Sequence, residues 1–287
     1  MKILVIGDFH GKLHKKIKKL IKKEKPEVIL SIGDYLPFHY RKLWFKHSFG
    51  TDIELWQVIG KKRYKKIILR DLDEGEKVLK ELNKFNIPVF TVLGNVDYPD
   101  SSDVMDEELP KNFWKWEYSR KAQFANRLRK YKNIRRIDYT FAKFRDFVFI
   151  GARGHSFPGR PGSKAFKKHK KILEKLFKKF KKENKSKKVI FISHNVPFRT
   201  KLDIITDRKA NKLVRSKHAG SKLIRKIIDK YHPILHLAGH VHEGRGFQKL
   251  GRTLCINCGD ACKGQYALID IKEGDSGKMH VRLKMGK

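Results

Sequence analysis

Short apolar runs that each stop at a residue able to hold a metal constrain this chain most. Residues 3–6 (Ile-Leu-Val-Ile) run into Gly7-Asp8, and residues 28–32 run into Gly33-Asp34. Residues 87–93 run into Gly94-Asn95. Residues 188–193 close on Ser193-His194, and residues 234–238 on Gly239-His240, with His242 two positions on. Predominantly apolar runs of this length predict strands buried on both faces, as in a parallel sheet covered by helices. In such sheets the carboxyl ends of the strands line the binding crevice. The residues that end these runs are therefore expected to converge on one crevice.

The remainder of the chain fills in an α/β plan. Helical patterns cover 12–25, stopped by Pro26, then about 74–85, 163–184 and 217–231. Short apolar segments at 134–137, 139–144 and 147–151 predict three further strands, and 245–249, 252–257, 265–271 and 279–284 a β-rich tail. This order suggests two sheets facing each other with helices outside. At 287 residues the chain can form a single domain, 1–287. Residues 35–70 read as an irregular, aromatic-rich insertion (Tyr35, Phe38, Tyr40, Trp44, Phe45, Trp56) with a small core of its own.

Composition limits the class. Aromatics are 11% of residues, which argues against disorder. Lys and Arg number 68 against 30 acids, a net charge of +38, and only 18 of the 68 are Arg. Such a field favours nucleic acid, anionic lipid or phosphate esters, although solvated lysines explain it equally well. No run of about 20 apolar residues is present to span a membrane. The chain opens on a strand pattern rather than a signal peptide, and three cysteines make no disulfide framework, so a cytoplasmic setting is expected.

Asp, Asn and His together offer hard oxygens and imidazoles, a set suited to Mn, Fe, Zn, Co or Ni. Two divalent ions about 3.5–4 Å apart clamp a phosphoryl group and generate a nucleophile at neutral pH. A carboxylate shared between them reduces their repulsion.

Asp8-Phe9-His10, Gly33-Asp34, Gly94-Asn95-Val96-Asp97, His194 and Gly239-His240-Val241-His242, taken in order, resemble the signature of the calcineurin-like metallophosphoesterases. The resemblance runs from Lys2 to about Ile271 and excludes the 35–70 insertion and the 163–184 helix. It implies a four-layer αββα sandwich of two mixed sheets. It also implies that Asp8, His10 and His242 hold one metal, that Asn95, His194 and His240 hold the other, and that Asp34 bridges. The implied activity is a dinuclear metal-dependent phosphoesterase, first a phosphodiesterase, with a metal-bridging hydroxide attacking phosphorus in line and Mn the leading metal. A nuclease or nucleotide pyrophosphatase is the alternative enzyme. A non-catalytic scaffold on the same fold is the alternative of another class, though a scaffold is expected to lose ligands and all seven positions are filled.

One departure matters. Many members carry His after the motif Asn, in contact with the scissile phosphate; this chain has Val96. A general acid contributes roughly 10²–10⁴-fold, so its loss should tell most on poor alkoxide leaving groups. Small prokaryotic phosphodiesterases of the superfamily share this departure. Asp97 is expected to cap a turn or bind backbone amides, and Asn195 to form a turn. His39, His47 and His155 sit in loops that could overhang the crevice, with His155 the first candidate to replace the acid. Cys255, Cys258 and Cys262 read as buried or free thiols. Residues 163–184 place Phe166, Leu173, Leu176, Phe177 and Phe180 on one face, as in an outer-layer helix, and leave a lysine-rich face free for a polyanion.

Overall fold

A computed structural model of the chain describes residues 1–97, 114–119, 123–153, 162–207, 210 and 214–286. In chain order the elements are β1 (Lys2–Ile6), α1 (Lys15–Glu24), β2 (Val28–Ser31), α2 (Arg41–His47), α3 (Leu55–Ile59), α4 (Lys61–Asn83) and β3 (Val89–Thr91). Next come α5 (Phe124–Leu128), β4 (Ile134–Arg136), β5 (Phe141–Phe144), β6 (Phe147–Ala152), α6 (Lys164–Lys179), α7 (Lys181–Lys185) and β7 (Val189–Asn195). The chain closes with α8 (Lys222–Tyr231), β8 (Leu235–Gly239), β9 (Gly246–Leu250), β10 (Thr253–Asn257), β11 (Tyr266–Glu273) and β12 (Met279–Gly286).

Two mixed six-stranded sheets result, ordered β12-β11-β1-β2-β3-β4 and β5-β6-β7-β8-β10-β9. β1 to β4 run parallel in the first sheet, and β6, β7, β8 and β10 run parallel in the second. Parallel neighbours bring their carboxyl ends to one side, which is what gathers the loops after β1, β2, β3, β7 and β8.

Alternation along the strands builds the layers. Ile3 and Val5 of β1 and Val28 and Leu30 of β2 pack with Ile190, Ile192, Leu235 and Leu237 of the second sheet. Their neighbours Leu4, Ile6 and Ile29 face the other way, onto Ile17 and Ile21 of α1 and Ile68 and Leu72 of α4. On the second sheet Val148, Ile150 and Phe191 pack with Phe166, Leu173 and Phe177 of α6 and Leu223 and Ile224 of α8. The four layers are therefore helix, sheet, sheet, helix. Burial on both faces is why these strands read as mainly apolar runs without polar alternation.

The expected amphipathic face of α6 is observed: Phe166, Leu173, Phe177 and Phe180 are buried and Leu176 packs beside them. Ser163 caps this helix by accepting from the Phe166 N–H at 3.1 Å. The helix expected at 217–231 starts only at Lys222, where the Ser221 hydroxyl caps it. No helix among the described residues is long and apolar enough to cross a membrane.

The irregular segment expected at 35–70 is instead largely helical. α2 and α3 lie within it, and α4 starts at Lys61, well before the expected 74. Six basic residues between Lys61 and Arg70 hide the stripe Tyr64, Ile68, Leu72, which continues the spacing of Gly75, Val78, Leu79 and Leu82. The aromatics do not form a separate core either. Tyr35, Tyr40, Leu55 and Tyr64 belong to the same buried cluster as β1 and α1, with Phe38, Trp44 and Trp56 packed against it.

Candidate metal centre

The loops after β1 and β2 are laced together across the top of the first sheet. Asp8 N–H donates to Gly33 O at 2.8 Å, and the N–H groups of Phe9 and His10 both donate to Asp34 O, at 2.8 and 3.0 Å. Asp8, His10, Asp34 and His240 all adopt positive φ, between 44° and 69°. Asp and His enter this region more readily than most non-glycine residues. Here the left-handed step turns each chain sharply at its strand end.

The preceding glycines allow close approach, Gly239 between the two sheets and Gly94 between neighbouring strand ends of the first. A Cβ on Gly239 would lie 2.3 Å from Asp8 Oδ2, and one on Gly94 would lie 1.9 Å from Asp34 Oδ1. Any side chain at these two positions would displace a carboxylate.

Two groups of donors emerge, each with ligand atoms within 4.8 Å of one another: Asp8, His10 and His242, and Asp34, His194 and His240. In the second group His194 Nε2 lies 2.8 Å from Asn95 Oδ1, 3.1 Å from His240 Nδ1 and 3.5 Å from Asp34 Oδ2. The other nitrogen, Nδ1, is 2.7 Å from Ile32 O. As donor to that carbonyl, Nδ1 holds the proton and leaves the Nε2 lone pair aimed at the cluster. All seven residues expected from the sequence thus lie in these groups or beside them, Asn95 against His194.

The donor set fits divalent cations on a further observation. Asp8 is fully buried, yet its Oδ1 accepts no hydrogen bond and lies 3.2 Å from His242 Nε2, while Oδ2 accepts from the His240 N–H at 3.1 Å. A buried carboxylate oxygen with no hydrogen bond, facing an imidazole, needs a cation beside it, either the protonated ring or a metal ion between the two. The electrostatics agree. Burial opposes ionisation of Asp8, but His242, His194 and His10 hold its pKa below the usual carboxylate range. Burial alone would depress His242; the charge of Asp8 beside it instead raises it to about 9. Burial and the neighbouring His194 bring His240 down to about 4.

Asp97 fills the structural role expected of it. Its Oδ1 accepts from the N–H groups of Tyr35 and Leu36 at 2.7 and 3.3 Å, and its Oδ2 from those of Asp34 and Gly94 at 2.9 Å each. It ties the β2 loop to the β3 loop. Burial, then Asp34, pushes its pKa up to about 6. Val96 N–H donates to Asp34 Oδ1 at 3.0 Å, while its side chain, 8% exposed, packs into the core of the first sheet.

Other expectations resolve differently. Asn195 forms no turn: it is the last residue of β7 and is buried. The His39 ring is engaged by α4, pairing with Asp71 and Glu74. His47 ends α2. His155 lies outside the described residues. The three cysteines are free thiols, Cys255 and Cys258 buried, as expected.

One acidic residue escaped sequence reasoning. Asp260 Oδ2 lies 3.5 Å from His242 Nδ1 and 2.9 Å from Lys263 Nζ. The signal was present: β10 also runs into a Gly-Asp pair, Gly259-Asp260, like the strands that end at Asp8 and Asp34.

Comparison with known proteins agrees with this geometry. A protein of Methanocaldococcus jannaschii, the uncharacterized MJ1162, is 28% identical over 259 residues, covering 90% of this chain and 87% of that protein. One crystal structure aligns with TM-score 0.64 at 22% identity over 99% of this chain and 98% of its own. The crystal structure of TT1561 of Thermus thermophilus aligns with TM-score 0.50 at 19% identity, over 98% and 97% of the two chains. These structures share the fold. The profile of the calcineurin-like phosphoesterases matches residues 1–244, so the chain belongs to that family of metal-dependent phosphoric ester hydrolases.

Proposed function

We propose that the protein is a dinuclear metal-dependent phosphodiesterase in which Asp8, His10 and His242 hold one ion, Asn95, His194 and His240 hold the second, and Asp34 bridges. Manganese is the leading metal, with Fe, Zn, Ni and Co compatible with the same donors. When bound, the ions supply Lewis acidity and a nucleophile at neutral pH. The protein's own part is positioning. Asp97 and Ile32 O fix the backbone and imidazole of the second group, and the left-handed turns at Asp8, Asp34 and His240 aim three ligands from different strands at one place.

The observation that carries the phosphodiesterase reading is Val96. Its side chain is buried in the core, so the turn that bears Asn95 offers no proton to a leaving group. Esters whose leaving group is already a stable anion suffer least from that. The test is kcat/KM of the Mn-loaded protein for a bis-aryl phosphate and for an alkyl monoester. Preference for the diester is expected. A parent enzyme that favours the alkyl monoester would overturn the reading.

A second reading, a nuclease or nucleotide pyrophosphatase, is favoured by α6 and α7. Lys164, Lys167, Lys168, Lys171, Lys175, Lys178 and Lys179 are exposed along one helix, and Glu174 is its single acid. Such a surface would bind nucleic acid through counterion release, with affinity falling steeply as salt rises. Replacing four of these lysines by Gln should flatten the salt dependence and leave hydrolysis of a small aryl diester intact. A cytoplasmic setting suits three thiols that stay unpaired.

A further inference from the structure

Six strand ends in the crevice carry an acid, an amide or an imidazole: Asp8, Asp34, Asn95, His194, His240 and Asp260. A seventh carries a cation. β6 pairs in parallel with β7, with Ala152 opposite Ser193. The next residue of each strand is Arg153 and His194, so Arg153 stands level with a candidate ligand on the adjacent strand. From there it reaches across to the first sheet, where its Nε donates to Gly94 O at 3.1 Å. Gly94 precedes Asn95, and its Cα lies against the Asp34 carboxylate.

That single bond uses one of the five N–H donors of a guanidinium. Among the described residues its terminal nitrogens have no hydrogen-bond or ion-pair partner, although the side chain is half-buried. A merely structural clamp on the Gly94 turn would not need the remaining donors. Arginine presents them as a planar fork that matches phosphate oxygens two at a time. Val96, two residues after Gly94, is turned into the core and offers no polar side chain on this turn.

We infer that Arg153 is a substrate-binding residue that holds a non-bridging oxygen of the phosphoryl group beside Asn95. The inference rests on the phosphoesterase reading above. Arg153 replaces the charge-stabilising part of the absent imidazole and not its acid part, because a guanidinium does not release its proton near neutrality. The site therefore selects an anionic phosphoryl group and leaves leaving-group protonation unassisted.

The test uses the full chain loaded with Mn²⁺ and inorganic phosphate as the probe. Arg153→Gln keeps a donor for Gly94 O and removes the charge; Arg153→Lys keeps a charge and removes the fork. Metal stoichiometry, the Kd for phosphate by calorimetry, and KM and kcat for a bis-aryl phosphate are measured in parent and variants. The expected result is full metal occupancy with phosphate binding weakened about 10–100-fold in Arg153→Gln, the size of a lost charge-assisted contact. KM should rise in parallel, Arg153→Lys should be intermediate, and added guanidinium should partly rescue Arg153→Gln. Unchanged phosphate affinity at full occupancy overturns the inference. So does loss of one metal equivalent, which would make Arg153 a prop for Asn95. If the metal-loaded parent hydrolyses no phosphoester, the functional reading falls, and the phosphate Kd still decides the role of Arg153.

Discussion

The two donor groups of the crevice are built from similar residues but held in different ways. In the second group His194 is fully buried and pinned by Ile32 O, and Asp34 is 3% exposed. Asp34 is held at its carboxylate by Val96 N–H and at its own N–H by Asp97. In the first group Asp8 is equally buried, but the two imidazoles are held more loosely. The nearest partner of His10 Nδ1 is Leu36 O at 3.4 Å, and the His242 side chain is 29% exposed on a short 3₁₀ turn, His242–Gly244. Its support is another side chain, Asp260, which Lys263 shares. A backbone carbonyl anchored in a sheet cannot move away, whereas a carboxylate on a loop can. The second group is therefore preorganised, and the first depends on its supporting shell.

The largest test of this contrast is the residue proposed to join the groups. Asp34→Ala should abolish both metal equivalents and all turnover, measured by metal analysis and a bis-aryl phosphate assay on the same folded sample. Loss of one equivalent alone would confine Asp34 to the second group. Asp260→Ala should weaken one equivalent by about 10–100-fold, the usual cost of losing a ligand's outer support, and leave the other unchanged in a metal titration. Equal weakening of both would erase the distinction between the groups.

Acidity separates the groups next. In the metal-free protein His242 is raised to about 9 by Asp8, so at pH 7 a cation must displace its proton. His240 is lowered to about 4 and is already neutral there. Affinity at the first group should rise by up to about tenfold between pH 7 and 8, as expected when metal and proton compete for one ligand. Over the same interval His240 should add no pH dependence to the second group. Competitive chelator titrations at the two pH values resolve this, and parallel pH dependence of the two equivalents would contradict it.

The smallest effect is expected at Val96. All four contacts of the Asp97 carboxylate are backbone N–H groups, and the Val96 pocket is apolar. Val96→His should therefore raise alkyl monoester turnover by less than about tenfold, short of the roughly 10²–10⁴-fold of a positioned general acid. A larger gain in kcat/KM would mean that Asp97 can release its amides and orient the ring.

The sequence alone determined the layers and the residues gathered at the crevice, for one physical reason. A strand buried on both faces must be largely apolar, so the runs within 3–6, 28–32 and 188–193 stand out, and the metal-type residue that follows each run marks the crevice. The same logic would have reached Asp260 had the β10 run been followed to Gly259-Asp260. It could not reach Arg153, because an arginine after an apolar run is ordinary in a chain with 18 of them. Only the parallel register of β6 and β7 and the approach of Gly94 from the other sheet give it meaning. Tertiary structure likewise decided residues 35–70. Their lysines mask a helical stripe whose apolar positions show only against the core they cover, and the pairing of His39 with Asp71 depends on a helix that propensity did not begin at Lys61. Local pattern records what a residue's neighbours in sequence demand of it; which sheet, helix or charge it meets is set by packing between distant segments.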